Sequence, residues 1–272
     1  MKKFLAVLLL LAFTSAPLLA WGPKGHRMVG AIAQAHLGEA ARRNIQALLG
    51  NSDLASVANW ADDIKGDRPQ TFGWHFVDIP KNSSGFDQAR DCYQPDEKRP
   101  YTKDDHHNCA VDRIGMFLKV LADVNASQQD RVEALKFLVH FVGDIHQPFH
   151  ALGEARGGND IHVTEFGATQ CGNYPCNLHF TWDVDLIEHT GRVETDYVPY
   201  LEQLIVSKNL AAKAGGTPED WANESFRFAQ QVLVKEGASI DEAYYQANIA
   251  LLDERLALAG LRLAALFNES FK

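Results

Sequence analysis

Leu135-Lys-Phe-Leu-Val-His140-Phe-Val-Gly-Asp144-Ile-His-Gln-Pro148-Phe-His150 is the stretch from which the rest of the chain is read. Leu135, Leu138, Val139 and Phe141 give it a helical apolar rhythm. Ser127 stands where a cap belongs, and Pro148 has no amide hydrogen with which to continue a helix, so the spacing predicts a helix over 128–147. A helix this apolar is buried among others. His140 and Asp144 lie four apart, on one face, within reach of a single ion. A buried imidazole and a buried carboxylate both need a partner. For this pair alone, a mutual hydrogen bond and a shared metal ion meet that need equally well.

Working outward, helical spacing recurs over 24–37, 39–49, 108–124, 179–190, 195–208, 218–236 and 239–267. A further helix is expected from Ser52 to Lys65, with Ser52 or Asp53 as its cap. Phe72 to Ile79 reads as extended. Residues 81–103, with Pro95 and Pro100, read as a long loop. The Gly- and Asn-rich stretch 151–178 is expected to hold a small hairpin around Ile161–Phe166. No repeat or linker divides the chain, so the expectation is an all-α single domain with one irregular β-hairpin insertion. Composition agrees: 272 residues, 46% hydrophobic and 22% charged, exclude a disordered, collagen-like or coiled-coil protein.

Residues 1–20 read as a signal peptide. Lys2 and Lys3 precede an apolar run from Phe4 to Phe13, far shorter than the roughly 20 residues a membrane span needs. Cleavage after Ala20 would make Trp21 the new N-terminus and leave 21–272 as one domain, secreted or periplasmic, with no stable membrane association. The net charge of −9 becomes more negative without the two lysines. So acidic a protein is a poor candidate for wrapping nucleic acid through a basic surface, though metal ions can supply positive charge locally.

All eleven histidines lie beyond the leader, and several sit beside carboxylates. His179 and Asp183 repeat the four-residue spacing. His150 follows Pro148. Asp62 lies in Asn59-Trp-Ala-Asp62-Asp63-Ile-Lys65, His75 in Trp74-His-Phe-Val-Asp78, and His26 is close behind Trp21. Imidazole and carboxylate without thiolate suit Zn²⁺ or a similar divalent ion.

In these blocks, from Trp21-Gly-Pro-Lys-Gly-His26 through Gly157-Gly-Asn159 to Asn177-Leu-His-Phe-Thr-Trp-Asp183, the chain resembles the zinc-dependent single-strand nucleases of fungi, plants and bacteria, the S-one/P-one type. The resemblance implies the multi-helix fold shared with zinc phospholipase C and three zinc ions. Asp62, His75, His140 and Asp144 would surround the first. His150, His179 and Asp183 would hold the second. His26, Asp144 and the α-amine and carbonyl of Trp21 would hold the third. It also implies hydrolysis of single-stranded DNA and RNA to 5′-phosphate products, with nucleotides as further substrates of a 3′-nucleotidase activity. Asp78 would orient or deprotonate the nucleophile, Lys65 would contact the phosphate, Phe76 would stack on a base, and Asn159 would order the loop beside the second ion. No oligomer is implied.

Other residues are read more plainly. His146, two residues past Asp144, points to another helix face and is expected to be structural or to support a ligand. His36 reads as structural, and His106, His107, His189 and Asp63 as surface. His162 could lie near the site and is not assigned. Val184 is apolar where the family often carries a polar residue. Cys92–Cys109 with Cys171–Cys176 is the simplest of the three pairings four cysteines allow. The Asn-x-Ser sequons at Asn82, Asn125, Asn223 and Asn268 are read as coincidental. The competing functions are a zinc phospholipase C and a non-catalytic zinc-binding protein; the latter would need neither Asp78 nor Lys65.

Overall fold

The computed structural model describes residues 21–92 and 108–272, and helices carry most of them. In chain order these are α1 (Pro23–Ala35), α2 (Glu39–Leu49), α3 (Trp60–Asp63), α4 (Gln88–Asp91), α5 (Ala110–Ala122), α6 (Gln128–Asp144), α7 (Leu178–Phe180), α8 (Leu186–His189), α9 (Glu194–Ser207), α10 (Pro218–Val232) and α11 (Glu242–Ser270). Four short strands accompany them: β1 (Val163–Glu165), β2 (Gln170–Cys171), β3 (Tyr174–Pro175) and β4 (Ala238–Ile240). The expected leader 1–20, Pro95, Pro100, His106 and His107 lie outside the described residues.

Helix α6 is the axis of the fold. It starts where the Ser127 hydroxyl accepts the Asp130 amide, as the sequence predicts, and its second half from Phe137 to Asp144 is fully buried. Helices α5, α1, α3 and α11 pack around it. Phe137 lies 4.7 Å from Phe117, 5.1 Å from Phe141 and 5.5 Å from Trp74, ring to ring, and Trp60 meets it edge-on. The fully buried rings among them, Phe137 and Phe141, each contribute about 1.5–3 kcal/mol through the area they remove from water. This aromatic layer lies one turn from His140, so the hydrophobic core and the polar cluster share a helix.

The helix ends three residues earlier than its apolar rhythm predicts. Ser225 Oγ takes the Ile145 carbonyl and Arg255 Nε takes that of His146, and Gln147 turns extended ahead of Pro148. Pro148–Ala151 then forms a 3₁₀ turn. Nor does the helix expected from Ser52 to Lys65 form in full: only Trp60–Asp63 is α-helical. Asp53 caps the amide of Ser56 in a tight turn, and such local side-chain bonds compete with helix. The hairpin is also displaced. It is β2 with β3, stapled by Cys171–Cys176, whereas β1, near the expected position, pairs in parallel with β4. Residues 218–236 and 239–267 give helices ending at Val232 and starting at Glu242, because β4 occupies the interval. Residues 69–75 form a 3₁₀ turn, and the extended segment begins only at Phe76. Cys92–Cys109 is the second disulfide. No helix among the described residues is long and apolar enough to cross a membrane.

Candidate metal centre

Six elements deliver the polar cluster. α1 brings His26, α3 brings Asp62, and the 3₁₀ turn at 69–75 brings His75. α6 brings His140 and Asp144, and the 3₁₀ turn after it brings His150. The segment from α7 to α8 brings His179 and Asp183 through a π-helical turn, Thr181–Asp185, a widened geometry frequent at functional sites. Extended backbone places the neighbouring residues: Val77 N donates to His150 O at 2.7 Å and Gly153 N to Ile79 O at 2.9 Å. With the two-residue alternation of a strand, Val77 and Ile79 are buried while Phe76 and Asp78 share the opposite face.

Ligand-capable atoms converge in three groups: His26, Asp62 and His140; His75, His140 and Asp144; and His150, His179 and Asp183. Asp144 faces two ways. Its Oδ1 lies 3.3 Å from His26 Nε2 and 3.4 Å from His140 Nε2, and its Oδ2 lies 3.0 Å from His75 Nδ1. Asp62 Oδ1 is 3.3 Å from His140 Nε2, 3.6 Å from His75 Nδ1 and 2.6 Å from Lys65 Nζ. In the third group, His179 Nε2 is 3.2 Å and His150 Nε2 3.8 Å from the two Asp183 oxygens. The His26 ring stacks on His140 at 3.8 Å.

Three histidines are locked from behind. His140 Nδ1 lies 2.7 Å from Ala58 O, His150 Nδ1 2.8 Å from His75 O, and His179 Nδ1 2.7 Å from Gly157 O. A carbonyl only accepts, so each Nδ1 carries the proton and each Nε2 turns its lone pair inward, as metal-binding histidines do. The inward atoms of His140 and His150 have no hydrogen-bond partner, while that of His179 faces Asp183. His140 Nε2, His150 Nε2, both nitrogens of His26, Asp144 Oδ1 and Asp183 Oδ2 are buried and unpaired. Burial holds the His26, His75 and His150 imidazoles well below their ordinary value and lifts the Asp144 and Asp183 carboxyls. Burial also disfavours charge on His140, but Asp144 and Asp62 outweigh it and raise that ring to about 9, so without an ion these carboxylates favour a proton on the inward Nε2, the place a divalent cation would take. Orphaned lone pairs of hard and borderline donors, all aimed inward, fit divalent cations. Glu165, Cys171 and Cys176 also converge, but both sulfurs are spent in a disulfide.

Above the third group lies a cleft of about 210 Å³. Lys65, Phe76, Asp78 and Asn159 line it, so the residues expected to serve the phosphate, the base, the nucleophile and the adjoining loop meet there. Burial, then the nearby Asp91, pushes the Asp78 carboxyl up to about 6.

Residues 21–272 match the family model described as S1/P1 Nuclease. The chain belongs to the S1/P1 nuclease family. Nuclease P1 of Penicillium citrinum is 30% identical over 280 residues, covering 92% of this chain and 97% of its own length. Nuclease S1 of Aspergillus oryzae is 29% identical, with 90% of each chain covered, and Endonuclease 2 of Arabidopsis thaliana 29%, with 92% and 90% covered.

In this S1/P1-family chain, Trp21 is fully buried and its indole donates to Gly143 O at 2.8 Å, which removes the indole as a ligand. Gly22 N donates to Asp183 O at 2.7 Å, which ties this end of the domain to the third group. His146 stays out of the cluster, as expected: its Nδ1 lies on Val142 O and its Nε2 on Arg262. His162, His36 and His189 pair with Glu236, Glu202 and Glu242, away from the centre. Asp63 is exposed. Asn223 accepts the Phe86 amide and Asn268 that of Gly38, so two sequon amides serve the fold. Sequence reasoning missed Gln147, whose amide donates to Asp183 Oδ1, and Phe72, which joins the cleft 5.7 Å from Phe76. Gln147 gave no signal. Phe72, four residues before Phe76 in an aromatic run, did.

Proposed function

We propose that this protein is an exported zinc-dependent phosphodiesterase that hydrolyses single-stranded DNA and RNA to 5′-phosphate products, with 3′-nucleotidase activity. The observation that carries it is the junction of three inward-facing His/Asp groups with a cleft walled by Phe72 and Phe76. Asp62, His75, His140 and Asp144 would hold one ion, and His150, His179 and Asp183 a second. His26, Asp144 and the backbone of Trp21 would hold the third, with residues 1–20 removed to free the amine. Asp144, with one oxygen toward His26 and the other toward His75, has the orientation of a bridging ligand. Bound zinc polarises phosphoryl oxygens and brings the ionisation of a water from 15.7 toward about 7.

The chain's own residues do the rest. Asp78, half-buried in the cleft, accepts the nucleophile's proton or orients it. Lys65, held on Asp62, presents an ammonium to the phosphate. Phe76 offers a stacking face that every base fits, provided the base is splayed from a duplex, which is the source of a single-strand preference. Asn159 donates to Arg156 O at 2.8 Å and orders the rim.

The test is hydrolysis of single-stranded DNA, and of phosphatidylcholine in parallel, by protein stripped with a chelator and reloaded with zinc. Activity on DNA that vanishes on chelation and returns with zinc is expected. Full activity without metal, or cleavage of the lipid alone, overturns the proposal. Metal binding with neither activity would make the protein a zinc carrier.

A further inference from the structure

Residues 155–158 wind the wrong way. Ala155, Arg156, Gly157 and Gly158 have φ of 48°, 51°, 64° and 83°, four consecutive left-handed residues. At Gly157 the site itself demands this. A Cβ there would stand 2.5 Å from Phe149 O, and the Gly157 carbonyl locks His179. Nothing comparable demands a side chain at 156, where glycine or asparagine takes left-handed backbone more readily. Strain that persists beside a functional site points to what the strained residue does.

Arg156 lines the cleft with Phe76, Asp78 and His179, and its side chain is 70% exposed. It rests on Asp160, itself 51% exposed, with Nη2 2.6 Å from Oδ1 and Nε 2.9 Å from Oδ2. The other Lys or Arg among the cleft's described residues is Lys65, at the floor, 14% exposed and on Asp62. A chain of net charge −9 that threads a polyanion into such a cleft needs a cation at the entrance. The pair with Asp160 is two-point but solvent-exposed and screened, and a phosphate offers the guanidinium the same two-point geometry.

We infer that Arg156 is a substrate-binding residue that leaves Asp160 to grip the backbone phosphate next to the scissile one. The inference rests on the nuclease reading and deepens it: the preferred substrate is a strand of several nucleotides, not a dinucleotide.

The experiment compares the zinc-loaded wild type with Arg156→Ala, Arg156→Gly and Asp160→Asn. One substrate is a single-stranded oligonucleotide of about twelve residues; the other is a dinucleoside monophosphate, which has no flanking phosphate. Arg156→Ala and Arg156→Gly should raise KM for the oligonucleotide about five- to tenfold with kcat held. They should also flatten the dependence of log KM on log salt by about 0.7, one single-strand phosphate contact. The gap between the two substrates should shrink. Asp160→Asn should lower the oligonucleotide KM. Arg156→Gly relieves the backbone and should raise the melting temperature, which separates lost binding from lost fold. An unchanged KM and salt slope in both Arg156 variants, beside a wild type that cuts the oligonucleotide, refutes this inference alone, as does an equal loss on both substrates. A wild type that cuts neither refutes the nuclease reading and this inference with it.

Discussion

Gly143→Ala probes the centre without touching a ligand. Gly143 sits inside α6, one residue before Asp144, and a Cβ built there would lie 2.8 Å from His26 Nδ1 and 3.0 Å from its Cε1. Real carbon atoms do not approach so closely, so something must move. His26 is fully buried with its ring stacked on His140, so it cannot swing aside without losing its place over Asp144. On propensity alone alanine should stabilise a helix interior by about 1 kcal/mol. Overpacking a full core costs about 1–3 kcal/mol, so the net change in stability should be about 0–2 kcal/mol, unfavourable. The effect on the site should be larger: disturbing a group that supports a ligand typically costs about 10–100-fold in metal affinity or activity. The assay is metal content by mass spectrometry after dialysis, beside the rate on single-stranded DNA and a melting curve. One ion fewer, a rate down by at least about tenfold and a nearly preserved fold are expected. Gly115→Ala is the control, because Gly115 lies inside α5 with open space around its missing Cβ. It should gain about 1 kcal/mol and leave metal and rate alone. If Gly143→Ala keeps the full metal complement and rate, His26 does not belong to the site.

Three further outcomes are expected. Burial pushes the Asp78 carboxyl up to about 6 from an ordinary 3.8, so stability is lost as pH rises through that window; Asp78→Asn should therefore stabilise the metal-free protein at pH 7.5 by up to roughly 3 kcal/mol, read as a higher melting temperature, but not at pH 3.5, while slowing the zinc-loaded enzyme about 10²–10⁴-fold. Replacing Cys92 and Cys109 by Ser opens a loop with a sequence separation of 17 and should cost about 3 kcal/mol in urea unfolding; it should also raise KM, because Ala110 N, next to Cys109, holds Phe76 O at 3.0 Å. A chain begun at Trp21 with a retained Met has an amide where the third ion needs an amine, and should bind less zinc and cleave poorly until the Met is removed; equal zinc and rate in both forms would remove Trp21 from the ligand set.

The converging His and Asp side chains were legible because the pattern that carries them is local. His140 with Asp144 and His179 with Asp183 place two donors on one helical face by spacing alone, and the apolar residues around His140 announce its burial. The rest depended on partners that sequence does not pair. β1 finds β4 across more than seventy residues, so no turn signal marks it. The 52–65 segment has helical composition, yet the Asp53–Ser56 bond holds its start in turns. α6 stops at Asp144, where the amides of His146 and Gln147 turn to the carbonyls three residues back, Gly143 and Asp144, and Ser225 and Arg255, on α10 and α11, hold the carbonyls that follow. Left-handed backbone at Gly157 and Gly158 is what glycines allow, but at Ala155 and Arg156 nothing in the residue types signals it.

The same division explains what makes the cluster a site and not a collection of buried polar residues. Each of the three Nδ1 locks comes from a carbonyl far away in sequence: Ala58 for His140, His75 for His150, Gly157 for His179. Two of these carbonyls belong to segments with roles in the cleft, since His75 is itself a ligand candidate and Gly157 follows Arg156. Moving the 75–78 segment would therefore disturb the His75 ring, the lock on His150, and Phe76 and Asp78 together. Moving the left-handed turn would release His179 and displace Arg156. A side chain alone cannot fix which nitrogen of an imidazole bears the proton; a rigid carbonyl can, and it does so before any ion arrives. The fold thus bears the entropic cost of orienting these rings while it packs the aromatic layer around Phe137. The coupling runs through the backbone, which is why a non-ligand such as Gly157 tests the centre as severely as a histidine does.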